Sequence, residues 1–283
     1  MTGDGLSLLQ FADRIGLNLF ALLTIGFALH AASGVVERDA FRRLRWLVLW
    51  AGAGVLVFAG LRLLILNAQM GDGTVLFDPE LFPLSWIALG PSTTALSVGA
   101  VAGVAGVFAG SRILAGIGAA SLAAGFGLTG HSQGLADPGL TPMAVATHAF
   151  IAGFWVVAPI TLNPAARLGD DVLLARLKRF SAIAMAAIPL LLLLGVWLAF
   201  VLAGGVAPLF GSIYGWLLLA KLAAGLIAMA MGALNKQVVT TRIERDPTIG
   251  RRWLRLTLAF EAILFATAVL AVSAATTIAG PGE

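Results

Sequence analysis

Three histidines are the side chains of this sequence best suited to bind a metal ion, and two of them are predicted to lie at one depth. His131 follows the fourth of eight apolar stretches, and His148 lies about two helical turns inside the fifth. The two imidazoles could therefore meet one ion. Neutral imidazole suits copper and zinc, and thioether adds softness for Cu(I). Met70 and Met143 are thus further candidate ligands, although Met143 lies five residues before His148 and hence off its helical face.

The third histidine and three other ionisable residues lie within apolar stretches, where they are costly unless they face a partner, a cavity or water. The other three are Arg62, Lys221 and Glu261. We predict a structural role for His30, near the inner end of the first stretch, with a separate inner exit site as the alternative. Snorkelling to the interface is the favoured account of Arg62 and an alternative for Lys221. Glu261 has no partner that the sequence reveals.

A seven-residue repeat of polar and small residues marks the face of the seventh stretch that must point into a helix bundle. Its members are Tyr214, Lys221, Ala228 and Asn235. A second stripe, in the third stretch, consists of glycines at spacings of four, three and four, and predicts close helix packing. It comprises Gly99, Gly103, Gly106 and Gly110.

The elements that position these residues are eight apolar stretches, each of a length that crosses a bilayer. A transmembrane helix needs about 20 mostly apolar residues, and backbone groups in lipid must be satisfied within the segment. Hydrophobic residues make up 59% of the chain and charged residues only 11%. We therefore predict an all-α, polytopic, single integral membrane domain over residues 1–283. Its eight transmembrane helices span about 11–36, 46–66, 88–110, 112–130, 142–162, 180–204, 214–235 and 253–279.

The charges of the loops predict the orientation of these helices. All 18 Lys and Arg residues except Arg14, Arg62 and Lys221 fall in alternate loops. Basic loops face the cytoplasm, so both termini are predicted on the periplasmic side. The net charge of +4 then reflects loops that face anionic lipid, and no nucleic-acid partner is expected. The absence of cysteine excludes disulfides and thiolate metal sites.

The two halves of the chain show a faint similarity. A basic segment at 39–46 precedes the second stretch, and a similar one at 171–180 precedes the sixth. A parallel internal repeat of four plus four spans would explain this similarity. The alternative is that any basic loop before an apolar span looks alike.

An ordered set of motifs between Gly130 and Asn235 resembles the copper-resistance protein D family (CopD/PcoD), polytopic inner-membrane proteins of bacteria. The motifs are Gly130-His131-Ser132, His148-Ala-Phe-Ile-Ala-Gly-Phe-Trp155, Arg179-Phe180-Ser181, Gly195, Tyr214-Gly215-Trp-Leu-Leu-Leu-Ala-Lys221 and Gly232-Ala-Leu-Asn235. The first 110 residues match only in hydropathy and topology. The chain departs from the family where it reads Trp155-Val-Val-Ala-Pro159, and it lacks a Met-rich outer segment.

The resemblance implies copper handling at the bacterial inner membrane, with His131 and His148 as ligands of periplasmic copper, expected as Cu(I). It also implies that Lys221, Tyr214 and Asn235 line or support the pathway. A periplasmic copper-binding protein is a further expected partner, besides the lipid bilayer. No arrangement typical of a hydrolase is present, and we expect no enzymatic activity. The sequence indicates neither the energy source and direction of transport nor the oligomeric state.

Two other functions fit the same residues. An integral cytochrome with haem b could use His131 and His148 as axial ligands. A copper-donating assembly factor for a cuproenzyme would use the same site as a transporter, so the sequence does not separate these two.

Overall fold

The computed structural model describes residues 3–130, 133–134, 137–163 and 168–277, and these residues form helices and no strand. In chain order the helices are α1 (Gly3–Ala32), α2 (Arg38–Arg43), α3 (Arg45–Met70), α4 (Phe82–Ala109), α5 (Arg112–Gly127), α6 (Thr141–Val156), α7 (Ala158–Thr161), α8 (Asp170–Ala203), α9 (Val206–Gly211), α10 (Ile213–Leu234), a π-helical turn (Asn235–Val239), α11 (Thr240–Arg245) and α12 (Pro247–Ala275).

Seven helical segments of the described residues are long and apolar enough to cross a membrane, which confirms the all-α polytopic class. They are Gly5–Ala32, Arg45–Met70, Phe82–Ala109, Thr141–Thr161, Asp170–Ala203, Ile213–Arg245 and Pro247–Ala275. The predicted span 112–130 corresponds to α5, whose 16 residues are fewer than the roughly 20 that a bilayer requires. The count of eight is therefore not confirmed.

Several helices extend beyond the apolar stretches that predicted them. α8 begins at Asp170, where two acidic residues in the first turn complement the positive end of the helix dipole. α10 continues through the π-helical turn and α11 to Arg245. α12 begins after Asp246, whose carboxylate accepts the Ile249 N–H at 3.1 Å. A helix can continue beyond the bilayer in polar turns. Hydropathy therefore underestimates the length of such helices.

The N-terminal half is packed around α1, which contacts α3, α4, α5 and α6. Helices α4 and α5 form a hairpin whose backbones touch through glycine. A Cβ on Gly118 would lie 2.2 Å from the Gly103 backbone nitrogen, and one on Gly106 would lie 2.3 Å from the Ala115 nitrogen. The glycine stripe of α4 thus faces α5, and the predicted close-packing face is observed. Gly110 ends α4 in the left-handed conformation, with φ of 70°.

The C-terminal half is more open. α12 packs against α10 and also reaches α1, while α8 contacts α6 and α10. In the most apolar 18 residues of Asp170–Ala203, and likewise of Ile213–Arg245, the buried share is only 17%. In α1 the corresponding share is 50%. Large apolar side chains on these two segments, such as Leu193 and Trp216, are exposed and suit contact with lipid. Cavities remain between α6, α8, α10 and α12.

Candidate functional site

The ring of His148 lies in a cavity of about 120 Å³ between α6, α8, α10 and α12. Its Cε1 is 3.4 Å from the position that a Cβ of Gly195 would occupy, so the glycine leaves room for the imidazole. The Nδ1 atom is buried and forms no hydrogen bond of standard geometry in the described part of the chain, although the Leu191 carbonyl also acts on the ring. This nitrogen is the group in the cavity best suited to bind a metal ion through a lone pair.

Lys221 lines the same cavity as His148, and no other residue of the lining is ionisable. Both lie about two turns from the starts of their helices, α6 and α10. The depth of each was apparent from the sequence, but their meeting was not predicted. Gly225 lies one turn below Lys221, where an added Cβ would meet nothing within 4 Å. The face of α10 that carries these residues therefore borders open space inside the bundle.

Met229, on the same face of α10, is a cavity residue that the sequence analysis missed. It lines the His148 cavity and also the next cavity below, which measures about 270 Å³. Its thioether is a soft donor of the kind that Cu(I) accepts. The signal was present in the sequence, because Met229 lies eight residues, about two turns, after Lys221.

Trp155 separates the His148 cavity from two other cavities, which lie toward the end of α10. Its indole borders all three of them. A Cβ on Gly232 would lie 3.1 Å from the indole Cζ2, so the missing side chain is what admits the ring. Phe265 of α12 meets the indole edge to face at 6.1 Å. The three residues form an aromatic constriction two turns below His148.

A polar network lies below the constriction, between α10 and α12. The Asn235 side-chain amide donates to the Glu261 carboxylate at 2.8 Å, and the Thr257 hydroxyl donates to Oδ1 of the Asn235 side chain at 2.5 Å. Glu261, 2% exposed, thus has the partner that the sequence did not reveal. Asn235 is the first residue of the π-helical turn, a helical irregularity that occurs frequently at functional sites.

His30 differs from His148 in that both of its ring nitrogens are bonded. Nε2 lies 2.9 Å from the Phe154 carbonyl oxygen, and Nδ1 lies 2.9 Å from the Thr161 hydroxyl. Because a carbonyl can only accept, Nε2 carries the proton and Nδ1 accepts from Thr161. The ring is fully buried and packs at 4.7 Å from that of Phe154. This geometry suits the predicted structural role.

The other predicted metal ligands are not brought to His148. The sulfur of Met70 lies 3.5 Å from the Ser85 hydroxyl, between α3 and α4. Met143 is 69% exposed at the start of α6. His131 lies outside the described residues, and so does its predicted meeting with His148. Within the ranges that the structure describes, no group of three or more His, Cys, Asp or Glu side chains could hold a metal ion.

Tyr214 and Asp13 are further buried polar residues. Tyr214 is 1% exposed in a small apolar cluster with α8 and the end of α12, near the start of α10. Asp13 of α1 is also 1% exposed. Arg62 and Arg14 are the charges that act on it. Arg62 donates to the Thr129 hydroxyl at 2.9 Å, so it has a hydrogen-bond partner within the protein. Its snorkelling to the interface stays a prediction.

The family model of Copper resistance protein D matches residues 174–275, from the first turns of α8 to the end of α12. The match includes Lys221, Met229, Asn235 and Glu261, but it leaves out His148. No curated protein and no solved structure matches the chain. The resemblance noted in the sequence is thus confirmed for the segment that supplies three walls of the cavity. The matched segment, residues 174–275, is similar to this family and is called here the copper resistance protein D domain.

Proposed function

We propose that this protein transports copper, or transfers it to another protein, at the bacterial inner membrane, with Nδ1 of His148 as one ligand of the ion. The observation that carries the proposal is the location of this unpartnered nitrogen. It lies in a cavity that α8, α10 and α12 of the copper resistance protein D domain enclose together with α6 and Leu22 of α1. A buried polar atom without a partner costs about 1–3 kcal/mol, and binding an ion would remove that cost.

The remaining ligands of the copper ion are proposed from the cavity and from the sequence. Met229 supplies a thioether in the same cavity, and His131 is the second imidazole implied by the family resemblance. Met143 and Met70 become less suitable, because neither lies in the lining of the cavity. Lys221 places a positive charge beside the site, which would oppose the entry of a cation unless another group neutralises it.

The proposed route runs from the His148 cavity past the Trp155 constriction to the network around Asn235 and Glu261. Met229 borders the cavities on both sides of the constriction, so its sulfur offers an intermediate contact. The Glu261 carboxylate below is a suitable acceptor for a cation. Movement past Trp155 requires its indole to shift, because Gly232 and Phe265 hold it on two sides.

We propose that α5 completes eight membrane helices, with both termini in the periplasm and a four-plus-four repeat. The contacts of α5 with α1, α4 and α6 support its position inside the bundle. Because the chain has no cysteine, single cysteines at Asp72 and Arg245 can be tested in intact cells with a thiol reagent that does not cross the membrane. Labelling of the Arg245 position rather than the Asp72 position would contradict the orientation.

One observation bears on the alternative functions. A cavity of about 120 Å³ is well below the roughly 300–1,000 Å³ of pockets that hold drug-sized ligands, which favours an ion over haem beside His148. A copper-donating assembly factor uses the same residues as a transporter. Co-purification with a cuproenzyme subunit would identify a donor, and a haem absorption band in the purified protein would identify a cytochrome.

The test is copper accumulation in cells that express the protein, normalised to its abundance in the membrane. His148→Ala and Met229→Leu should lower accumulation toward that of cells without the protein, the first more strongly because it removes the nitrogen donor. Leu193→Ala, a change at a 68% exposed position of α8, is the control and should leave accumulation unchanged. Normal accumulation by His148→Ala at equal abundance would refute the proposal.

A further inference from the structure

A second cavity, of about 400 Å³, lies at the end of the bundle where the basic loops meet. Its walls come from the turn after α1, the start of α2, the α4–α5 turn and the exposed side of α8. Three arginines line it, namely Arg38, Arg112 and Arg179. Two of these belong to the N-terminal half, and the third comes from the copper resistance protein D domain. The cavity therefore joins the two parts of the molecule.

Two of the guanidinium groups converge on one point. An atom at the Cβ position of Gly34 would lie 3.2 Å from Nη2 of Arg112 and 3.3 Å from Nη2 of Arg179. The third arginine is held nearby, because Nε of Arg38 donates to the Phe108 carbonyl at 3.1 Å. Like charges at such separations repel each other. An anion between them would convert this repulsion into attraction.

No acidic side chain of the described residues forms an ion pair with these three arginines. The ion pairs found there are Lys178–Glu244 and Arg251–Asp170, neither of which involves them. Glu37 also lines the cavity and lowers its positive charge by one unit. The cavity nevertheless keeps an excess of two positive charges, and the guanidinium groups of Arg112 and Arg179 make no hydrogen bond or ion pair within the described residues.

The N-terminus of α5 opens on the same cavity and adds to its positive potential. Ser111 and Arg112, the cap and first residue of this 16-residue helix, both belong to the lining. The first amides of a helix have no carbonyl partners within the helix; the Ser111 hydroxyl accepts from that of Leu114, and those before it favour an anion such as phosphate. The planar guanidinium fork matches phosphate oxygens in pairs. Donors of both kinds therefore point to one class of ligand.

We propose that this cavity binds a phosphate group, carried either by an anionic lipid headgroup or by a free phosphate compound. The position of the cavity at the basic end of the membrane helices suits a headgroup, and its volume also admits inorganic phosphate or pyrophosphate. Binding would link the copper resistance protein D domain to the N-terminal half through Arg179. This site is separate from the copper route and does not depend on it.

The experiment compares the purified protein with the double variant Arg112→Gln, Arg179→Gln, and with Arg252→Gln as a matched control. Arg252 is exposed on α12 and lies outside the lining. In one arm, native mass spectrometry measures phosphatidylglycerol retained from mixed micelles with phosphatidylcholine. In the other arm, pyrophosphate is titrated at constant ionic strength and the thermal stability is followed. Arg112→Lys with Arg179→Lys keeps the charges and serves if the glutamine variant does not fold.

We expect the double glutamine variant to lose affinity about tenfold or more for the probe that binds, and the lysine variant to lose less, because charge-assisted bonds to both guanidinium groups disappear. A loss confined to phosphatidylglycerol identifies a lipid, and a loss confined to pyrophosphate identifies a free phosphate compound. The proposal is overturned if neither probe binds, or if Arg252→Gln weakens binding as much as the double variant does.

Discussion

The N-terminal half and the copper resistance protein D domain pack their helices differently. In α4 and α5 the backbones touch, and glycines leave no space between them. In the domain, the most apolar parts of the segments that include α8 and α10 are each only 17% buried, and cavities lie along α10. A closely packed half suits a scaffold, because rearranging it would break many contacts. The open half can admit an ion and allow side chains such as Trp155 to move.

The two buried histidines show the same contrast. His30 is bonded at both nitrogens and packed against aromatic rings of α6 and α8. His148 has a buried nitrogen without a hydrogen bond of standard geometry and faces a cavity. One imidazole stabilises the fold, and the other retains an unsatisfied group that a ligand can use. Polar groups that cost stability are expected where binding compensates for them.

The largest predicted effect on stability is that of His30→Ala. It removes two buried hydrogen bonds and the packing of a ring, and should lower the free energy of unfolding by about 2–4 kcal/mol. His148→Ala should cost less than about 1 kcal/mol, because it removes an unpartnered nitrogen. Unfolding by sodium dodecyl sulfate in mixed micelles measures both. An equal loss in the two variants would break the distinction between a structural and a binding histidine.

A smaller effect is predicted for matched glycine substitutions in the two regions. In Gly118→Ala the new methyl group would meet the Gly103 backbone at 2.2 Å, so the helices must separate, at a cost of about 1–3 kcal/mol. In Gly225→Ala the methyl group enters open space, and stability should stay level or rise by up to about 1 kcal/mol through helix propensity. The same unfolding titration compares them. A destabilised Gly225→Ala would show that the cavity closes in the native protein.

Residue spacing was sufficient to predict the interior face of α10 and the depth of its polar residues. The helical period places Lys221 and Asn235 on one face, and counting from the helix start gives their level. The glycine spacing in α4 predicted its contact face for the same reason, because the signal lies within a single helix. These predictions concern local geometry, which the chain specifies directly.

The contacts between helices could not be predicted in this way. Whether Asn235 meets Glu261, or Lys221 meets His148, depends on the rotation and crossing of separate helices, which packing decides. The partners of His30 come from α6 and α7, more than 100 residues away along the chain. α5 ends at Gly127, short of its predicted boundary at 130, because the apolar composition continues past the last helical turn. A hydropathy profile therefore does not show where α5 ends.

The smallest predicted effect belongs to the polar network that joins α10 and α12. Asn235→Ala and Thr257→Val each remove one side of their 2.5 Å hydrogen bond. In the double-mutant cycle, the coupling free energy should be about 0.6 kcal/mol, and not above about 1.7 kcal/mol, the range found for hydrogen bonds between membrane helices. Asn235→Ala should cost more alone than Thr257→Val, because it also removes the Asn235 hydrogen bond to Glu261 and leaves Trp155 as the other donor. Zero coupling would mean that Asn235 serves Glu261 alone, and that the open half is held together by apolar contacts rather than by this junction.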